Sequence, residues 1–97
     1  MAQARDGTVW LGSESMLYQF SRDHRQLQTL PHGGGLTRRL LAGSDGTLWV
    51  ATQDGVYFLR PDKGEVVRLS QADGQPLRAD INALAEAADG SVWVEAV

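Results

Sequence analysis

The heptapeptide Asp45-Gly46-Thr47-Leu48-Trp49-Val50-Ala51 has two close variants elsewhere in the chain. The earlier variant is Asp6-Gly-Thr-Val-Trp10-Leu-Gly, and the later one is Asp89-Gly-Ser-Val-Trp93-Val-Glu. The first two copies lie 39 residues apart and the last two lie 44 apart. The agreement continues downstream without a gap, since Tyr18 follows Trp10 by eight residues as Tyr57 follows Trp49. These 97 residues therefore contain an internal repeat.

The repeat length and the strand chemistry together predict the fold. A period of about 40 to 50 residues is typical of four-stranded propeller blades and of two-helix solenoids. Each Asp-Gly pair lies between two apolar runs, and both residues tolerate the positive φ of a tight hairpin turn. The runs 9–11, 48–51 and 92–94 are apolar at consecutive positions, which indicates strands buried on both faces. Helix caps and a 3.6-residue period are both missing, so the strands are favoured.

We predict an all-β chain, a β-propeller fragment with four-stranded antiparallel blades and about two and a third blades in all. The middle repeat is expected to form strands over 37–43, 47–52, 56–60 and 65–70, with turns at 53–55 and 61–64. Residues 71–80 are expected to link it to the next repeat. The predicted domains are a partial blade with a truncated first strand (1–33), a complete blade (34–75), and a partial blade with its first two strands (76–97).

Such a fragment is expected to leave blade faces and strand edges uncovered, because propellers close with roughly four to eight blades. The expected partners are the remaining blades of a parent propeller or further copies of this chain, which would complete the edges. The net charge of −3 and the absence of a basic patch argue against nucleic acid. The absence of cysteine excludes disulfides and thiolate metal sites. Neither a membrane-spanning run nor a signal peptide is expected in this segment.

The run 45–57 resembles the two-component regulator propeller repeat, which reads approximately D-G-x-[IL]-W-[IV]-G-T-x-x-G-[IL]-x-x-[FY]. The joints 32–36 and 73–81 resemble that family's link between blades. Three residues depart from the pattern: Ala51 stands where Gly is usual, Met16 replaces the turn glycine that Gly55 keeps, and Glu95 stands where a small residue is expected.

The resemblance implies a periplasmic sensor propeller of a bacterial hybrid two-component or diguanylate cyclase receptor. Such propellers bind ligands, among them carbohydrates, so a small carbohydrate-like ligand is an expected partner. The output domains of these receptors are not found in the chain, and we expect no cofactor and no membrane contact from this segment.

The repeat residues themselves are expected to be structural. The Asp-Gly pairs should form turns and the tryptophans should pack between strands, rather than forming a carboxylate site or an aromatic platform. The predicted structural repeat residues are Asp6, Gly7, Trp10, Asp45, Gly46, Trp49, Asp89, Gly90 and Trp93.

Candidate binding residues are few. Arg38 and Arg39 precede or begin an inner strand, where a guanidinium pair is suited to an anionic ligand; an ordinary surface ion pair is the more economical interpretation. His24 and His32 are expected in exposed loops and lack neighbouring ligands at metal-binding spacing. The run Gly33-Gly34-Gly35 lacks the remainder of a phosphate loop, and we interpret it as a flexible joint. No catalytic residue and no metal ligand is predicted.

The sequence therefore predicts a non-catalytic ligand-sensing segment. Two alternatives stay open. One is a fragment of a propeller lyase of the virginiamycin B lyase type, which needs a histidine with an acidic or metal partner. The other is an oligomerising structural or interaction module, in which partial blades complete one another between chains.

Overall fold

A computed structural model describes residues 1–60, 64–69, 71–72, 75–76 and 80–96. These residues are all-β, with antiparallel pairing throughout and no helix among them. The strands are β1 (Ala2–Gln3), β2 (Val9–Gly12), β3 (Glu14–Phe20), β4 (Gln26–Ala42), β5 (Leu48–Thr52), β6 (Gly55–Arg60), β7 (Glu65–Leu69), β8 (Gln71–Ala72), β9 (Gln75–Pro76), β10 (Ile81–Glu86) and β11 (Val92–Ala96). The expected turn at 61–63, the end of a strand at Ser70, and the joint residues 73–74 and 77–79 lie outside the described residues.

Strands β1 to β7 are hydrogen-bonded in chain order, and this seven-stranded arrangement does not close on itself in the described part of the chain. Its long strand β4 belongs to two ladders. The first half pairs with β3 (Leu17 opposite Leu30), and the second half pairs with β5 (Leu40 opposite Val50). We call β1 to the first half of β4 unit 1, the second half of β4 to β7 unit 2, and the pair β10–β11 unit 3.

The three units pack face to face. One core cluster joins Trp10 and Leu17 of unit 1 to Leu48, Val50 and Leu59 of unit 2. A second cluster, on the other face of unit 2, joins its residues Ala51 and Val56 to Ile81 of unit 3, with Trp49, Leu84 and Val94 around them. Successive residues of a strand point to opposite faces, so the four consecutive apolar residues of β5 serve both clusters in alternation. The prediction of strands buried on both faces is confirmed for β5. It is wrong for the runs 9–11 and 92–94, where Leu11 is 38% and Trp93 is 68% exposed.

The tryptophans follow the same packing direction but differ in burial. Trp10 is 3% exposed beneath unit 2, and Trp49 is partly buried on the side of unit 3. Trp93 is 68% exposed. The expectation that all three pack inside the protein is therefore wrong for Trp93, because no described residue covers its face of unit 3.

The Asp-Gly turns are longer than a two-residue hairpin. In each, a five-residue loop is closed by two backbone hydrogen bonds, as in Gly7 N to Ala4 O (3.0 Å) and Ala4 N to Thr8 O (2.9 Å). Only the glycine takes a positive φ, at 92° for Gly7, 91° for Gly46 and 89° for Gly90. This is the type I turn followed by a left-handed glycine. The aspartate contributes its carboxylate instead: Oδ1 of Asp6, Asp45 and Asp89 accepts a hydrogen bond from the backbone N–H two residues on, at 2.9–3.0 Å.

Candidate functional site

The connection between units 1 and 2 is a sharp bend within β4. The Asp-Gly turns of both units line one cleft and so lie at one end of the stack, which we call the turn end. The two halves of β4 are antiparallel to β3 and β5, so the chain runs away from the turn end and then back to it. The reversal occurs at residues 32–36, which we call the bend; here Gly33 and Gly35 have φ of 77° and 80°. The glycine run thus lies at the joint between two units, as expected, although the joint is part of strand β4.

His32 holds the bend from inside. Its side chain is buried, with the whole residue 8% exposed, which corrects the expectation of an exposed loop histidine; His24 is exposed as expected. The backbone N–H of Gly34 donates to Nδ1 of His32 (2.9 Å), and Nε2 lies 2.8 Å from Oγ1 of Thr37. Because Nδ1 accepts, the proton of the neutral ring is assigned to Nε2, which donates to Thr37.

The hydrogen-bonded chain continues from His32 into unit 1. The hydroxyl of Thr37 donates to the backbone carbonyl of Ser13 (2.7 Å), so one imidazole connects the bend to the turn between β2 and β3. The ring of Tyr57 packs against the imidazole, with the ring centroids 5.5 Å apart and tilted by 44°. Burial lowers the pKa of His32, because the charged form would lose its hydration. The neutral form is therefore the one that the bend is built around.

Position 34 has no room for a side chain. A Cβ placed there would lie 2.5 Å from a ring carbon of Tyr57 and 2.6 Å from Oγ1 of Thr52. Both distances are well inside van der Waals contact, and Thr52 and Tyr57 are themselves buried. At Gly33, by contrast, a Cβ would meet nothing within 4 Å. The glycine run thus combines two needs: close approach at position 34, and positive φ at positions 33 and 35.

Side chains from both units accept hydrogen bonds from two further backbone N–H groups of the bend. The N–H of Gly35 donates to Oγ of Ser15 (3.1 Å), and the N–H of Leu36 donates to Oε1 of Gln53 (2.9 Å). Ser15 has a φ of 61°, while the following residue is Met16. In unit 2 the positive φ of this turn belongs to Gly55 instead (113°). The missing turn glycine at position 16 is therefore compensated one residue earlier.

The predicted ligand candidates Arg38 and Arg39 follow the bend directly. Arg38 forms a bidentate ion pair with Asp80, with Nε to Oδ1 at 3.1 Å and Nη2 to Oδ2 at 3.0 Å. Their side chains keep 36% and 35% of their surface exposed. Arg39 is exposed, and its Nη1 donates to the carbonyl of Arg38 (2.9 Å). The structure thus places Arg38 against a carboxylate of the segment leading into unit 3, and it does not bring both guanidinium groups onto one point.

A second feature lies at the turn end, opposite the bend. It is a cleft of about 330 Å³ between units 1 and 2. It is lined by the residues of the first two Asp-Gly turns together with Trp10, Gln19, Ala42 and Leu48. The Asp6 and Asp45 carboxylates there are engaged with their own turns. Hydrogen bonds from the backbone N–H groups of Thr8 and Thr47 lower the pKa of Asp6 and Asp45, and a hydrogen bond from the Ser91 hydroxyl lowers that of Asp89.

Units 2 and 3 are joined differently at the turn end. The carboxylate of Glu86 accepts hydrogen bonds from the backbone N–H (3.1 Å to Oε2) and the hydroxyl (2.9 Å) of Ser44. In the repeat, Ala42 of unit 2 corresponds to Glu86, 44 residues later, and Arg5 of unit 1 corresponds to Ser44, 39 residues later. Ala42 and Arg5 are therefore the pair that would make the same connection between units 1 and 2. Ala42 is too short to make this connection, and the cleft is open there.

No group of three or more histidine and acidic side chains converges within the described residues. The lyase alternative asked for a histidine with an acidic or metal partner. His32 instead has a glycine N–H and a threonine hydroxyl at its two ring nitrogens. None of the described residues forms a helix long and apolar enough to cross a lipid bilayer.

Sequence reasoning identified the repeat and Arg38 but missed His32, Ser15, Gln53, Asp80 and Glu86. Apart from Gln53 and Ser15, these residues stand outside the repeated heptapeptide and the run that follows it, and their partners lie up to 42 residues away. The one available signal was the glycine run, which marks a backbone that is approached closely.

No family model matches the chain, and no curated protein sequence matches it significantly.

Proposed function

We propose that this chain is a β-propeller segment serving as a non-catalytic ligand-recognition module of a bacterial periplasmic signalling receptor. The observation that carries the propeller interpretation is the stacking direction. Trp10 of unit 1 packs on unit 2, and Trp49 of unit 2 packs toward unit 3, at matched positions of the repeat. Unit 2 thus lies between units 1 and 3, and both contacts have the same direction, as between the blades of a propeller.

The recognition surface of this proposal is the end of the stack that carries the bend. The bend backbone is held by His32, Ser15 and Gln53, so the residues that follow it start from a rigid support. Binding sites gain affinity from such preorganisation, because less motion is lost when a ligand arrives. Arg38 is the first charged side chain after the bend and remains one third exposed.

The ion pair indicates the class of ligand. Asp80 already neutralises Arg38, which weakens the attraction for an anion. The same pair offers guanidinium donors and carboxylate acceptors side by side, and a neutral ligand with several hydroxyl groups can use both. The proposal therefore favours a neutral carbohydrate over an anionic ligand.

The test is calorimetric titration of the 97-residue chain with a panel of neutral mono- and disaccharides and the matching uronic acids. We expect saturable binding of at least one neutral sugar, lost in Arg38→Gln and in Asp80→Asn. Arg25→Gln is the matched control, because Arg25 is exposed in the β3–β4 turn at the turn end. Binding that survives both substitutions, or no saturable binding across the panel, would contradict the proposal.

The lyase alternative is distinguished from ligand recognition by measuring turnover and metal content. Turnover of a bound sugar or lactone substrate, together with a stoichiometric metal content, would replace recognition by catalysis. Recognition requires the bound ligand to be recovered unchanged.

A further inference from the structure

Within the part of the chain that the structure describes, the two outermost faces of the stack have no packing partner, and each exposes apolar side chains. At one end, unit 3 exposes Trp93, with Ala85 opposite it on β10. Trp93 occupies the repeat position of Trp10 and Trp49, which pack on or toward the following unit. We call this surface the tryptophan face. Its equivalents on units 1 and 2 are both covered within the chain.

At the other end, unit 1 exposes the face opposite Trp10. Leu11 follows Trp10 on β2 and therefore points away from unit 2, together with Tyr18 opposite it on β3. Val9 and Phe20 form the next pair of the same face. Leu11 is 38% exposed, and Met1, which the 39-residue spacing aligns with Leu40, is 83% exposed. We call this surface the receiving face.

The receiving face has the residue pattern of a surface that already binds a tryptophan face. Unit 2 covers Trp10 with Leu48, Val50, Tyr57 and Leu59. The 39-residue spacing aligns these positions with Val9, Leu11, Tyr18 and Phe20 of unit 1. In three of the four pairs one aliphatic or aromatic residue stands in place of another, and the fourth position is tyrosine in both units. An apolar surface of this composition is typical of an interaction site.

We infer that the tryptophan face of one copy of this chain docks on the receiving face of a second copy, continuing between chains the stacking seen within it. The contact is heterologous, because the two surfaces differ and lie at opposite ends of the stack. Such a contact leaves one free face of each kind on every pair, so it generates rings or open filaments. This inference depends on the stacking of the units and not on the ligand proposed above.

The test uses two variants and their mixture. Wild type is expected to show concentration-dependent association by analytical ultracentrifugation. Trp93→Ser removes the tryptophan face and Leu11→Glu places a charge on the receiving face, so each variant alone should sediment as a monomer. Both side chains are exposed, and circular dichroism checks that each variant keeps its fold. Leu36→Glu is the matched control, because Leu36 is 41% exposed at the bend and belongs to neither face.

Mixing the two variants should restore one contact only. The intact receiving face of Trp93→Ser meets the intact tryptophan face of Leu11→Glu, and a 1:1 dimer that grows no further is expected. A monomeric wild type, or a mixture that stays monomeric, would overturn the inference. Association that persists in Trp93→Ser would show that the contact does not use the tryptophan face. Association lost only in Trp93→Ser and kept in Leu11→Glu would indicate a symmetric contact between two tryptophan faces.

Discussion

Nε2 of His32 and Oγ1 of Thr37 lie 2.8 Å apart across the bend of β4, and the threonine hydroxyl passes the connection to unit 1 through the carbonyl of Ser13. One side chain therefore keeps two sheets in register at the point where the backbone reverses. The buried ring also accepts the N–H of Gly34, so its removal leaves this N–H without its acceptor and takes one of two hydrogen bonds from the Thr37 hydroxyl.

Replacing His32 by alanine should destabilise the protein by about 2 kcal/mol, because the buried N–H of Gly34 loses its acceptor and the Thr37 hydroxyl loses the hydrogen bond from the ring. Asparagine is the informative second variant. Its amide oxygen can take the place of Nδ1 as acceptor for Gly34, so we expect a smaller loss. Urea denaturation followed by tryptophan fluorescence measures both. Equal stability of His32→Ala and wild type would show that the bend does not depend on the imidazole.

The lowered pKa of His32 gives the stability a defined pH dependence. The unfolded chain binds a proton on this histidine below its ordinary pKa of about 6.5, whereas the folded chain resists it. The contribution is thus complete above pH 6.5 and is lost as the pH falls from there through the folded pKa. The free energy of unfolding should decline over that interval in wild type and in His24→Gln. The decline should be absent from His32→Gln.

The glycine run should respond unequally to alanine. Gly34→Ala is expected to cost about 3 kcal/mol, because the new methyl group overlaps Tyr57 and Thr52 in a packed core. Gly33→Ala has open space and should cost about 1 kcal/mol, from the left-handed backbone alone. Thermal denaturation of the two variants provides the comparison. A larger loss at position 33 than at position 34 would mean that backbone strain, and not packing, governs the bend.

The turn aspartates should contribute to acid sensitivity. The pKa of Asp45 lies below the ordinary value near 3.8, because its carboxylate accepts the N–H of Thr47. That stabilisation is complete above the ordinary value and is lost as the pH falls through the folded pKa. Asp45→Asn keeps an acceptor oxygen but cannot titrate, so its unfolding free energy should fall less steeply below pH 4. The slope should flatten further in the triple variant Asp6→Asn, Asp45→Asn, Asp89→Asn.

The connection between Glu86 and Ser44 should support the packing of unit 3 on unit 2. Glu86→Ala is expected to destabilise by about 1 kcal/mol, since two hydrogen bonds to a partly exposed carboxylate are lost. Glu65→Ala, an exposed glutamate on β7, is the matched control and should change little. Hydrogen exchange locates the effect: faster exchange is expected in β10 and β11, with β2 and β3 unchanged. Unaltered exchange in β10 would contradict the assignment.

The repeat predicted the strands well because its information is local. Burial of Leu48, Trp49, Val50 and Ala51 on both faces of β5 follows from a run of apolar residues between two turns. The exposure of Trp93 shows the limit of this reasoning, because burial depends on a neighbouring unit and not on the residue itself. His32 was misassigned for the same reason. Its environment comes from Thr37, Gly34 and Tyr57, which only the reversal of β4 brings together.

The reversal of β4 also couples the unfolding of unit 1 to that of unit 2. Strand β4 forms the last ladder of unit 1 and the first ladder of unit 2, and the hydrogen bond between His32 and Thr37 lies between the two ladders. A displacement of the bend therefore disturbs both ladders, because they share one continuous strand. Units 1 and 2 are therefore expected to unfold as a single cooperative block.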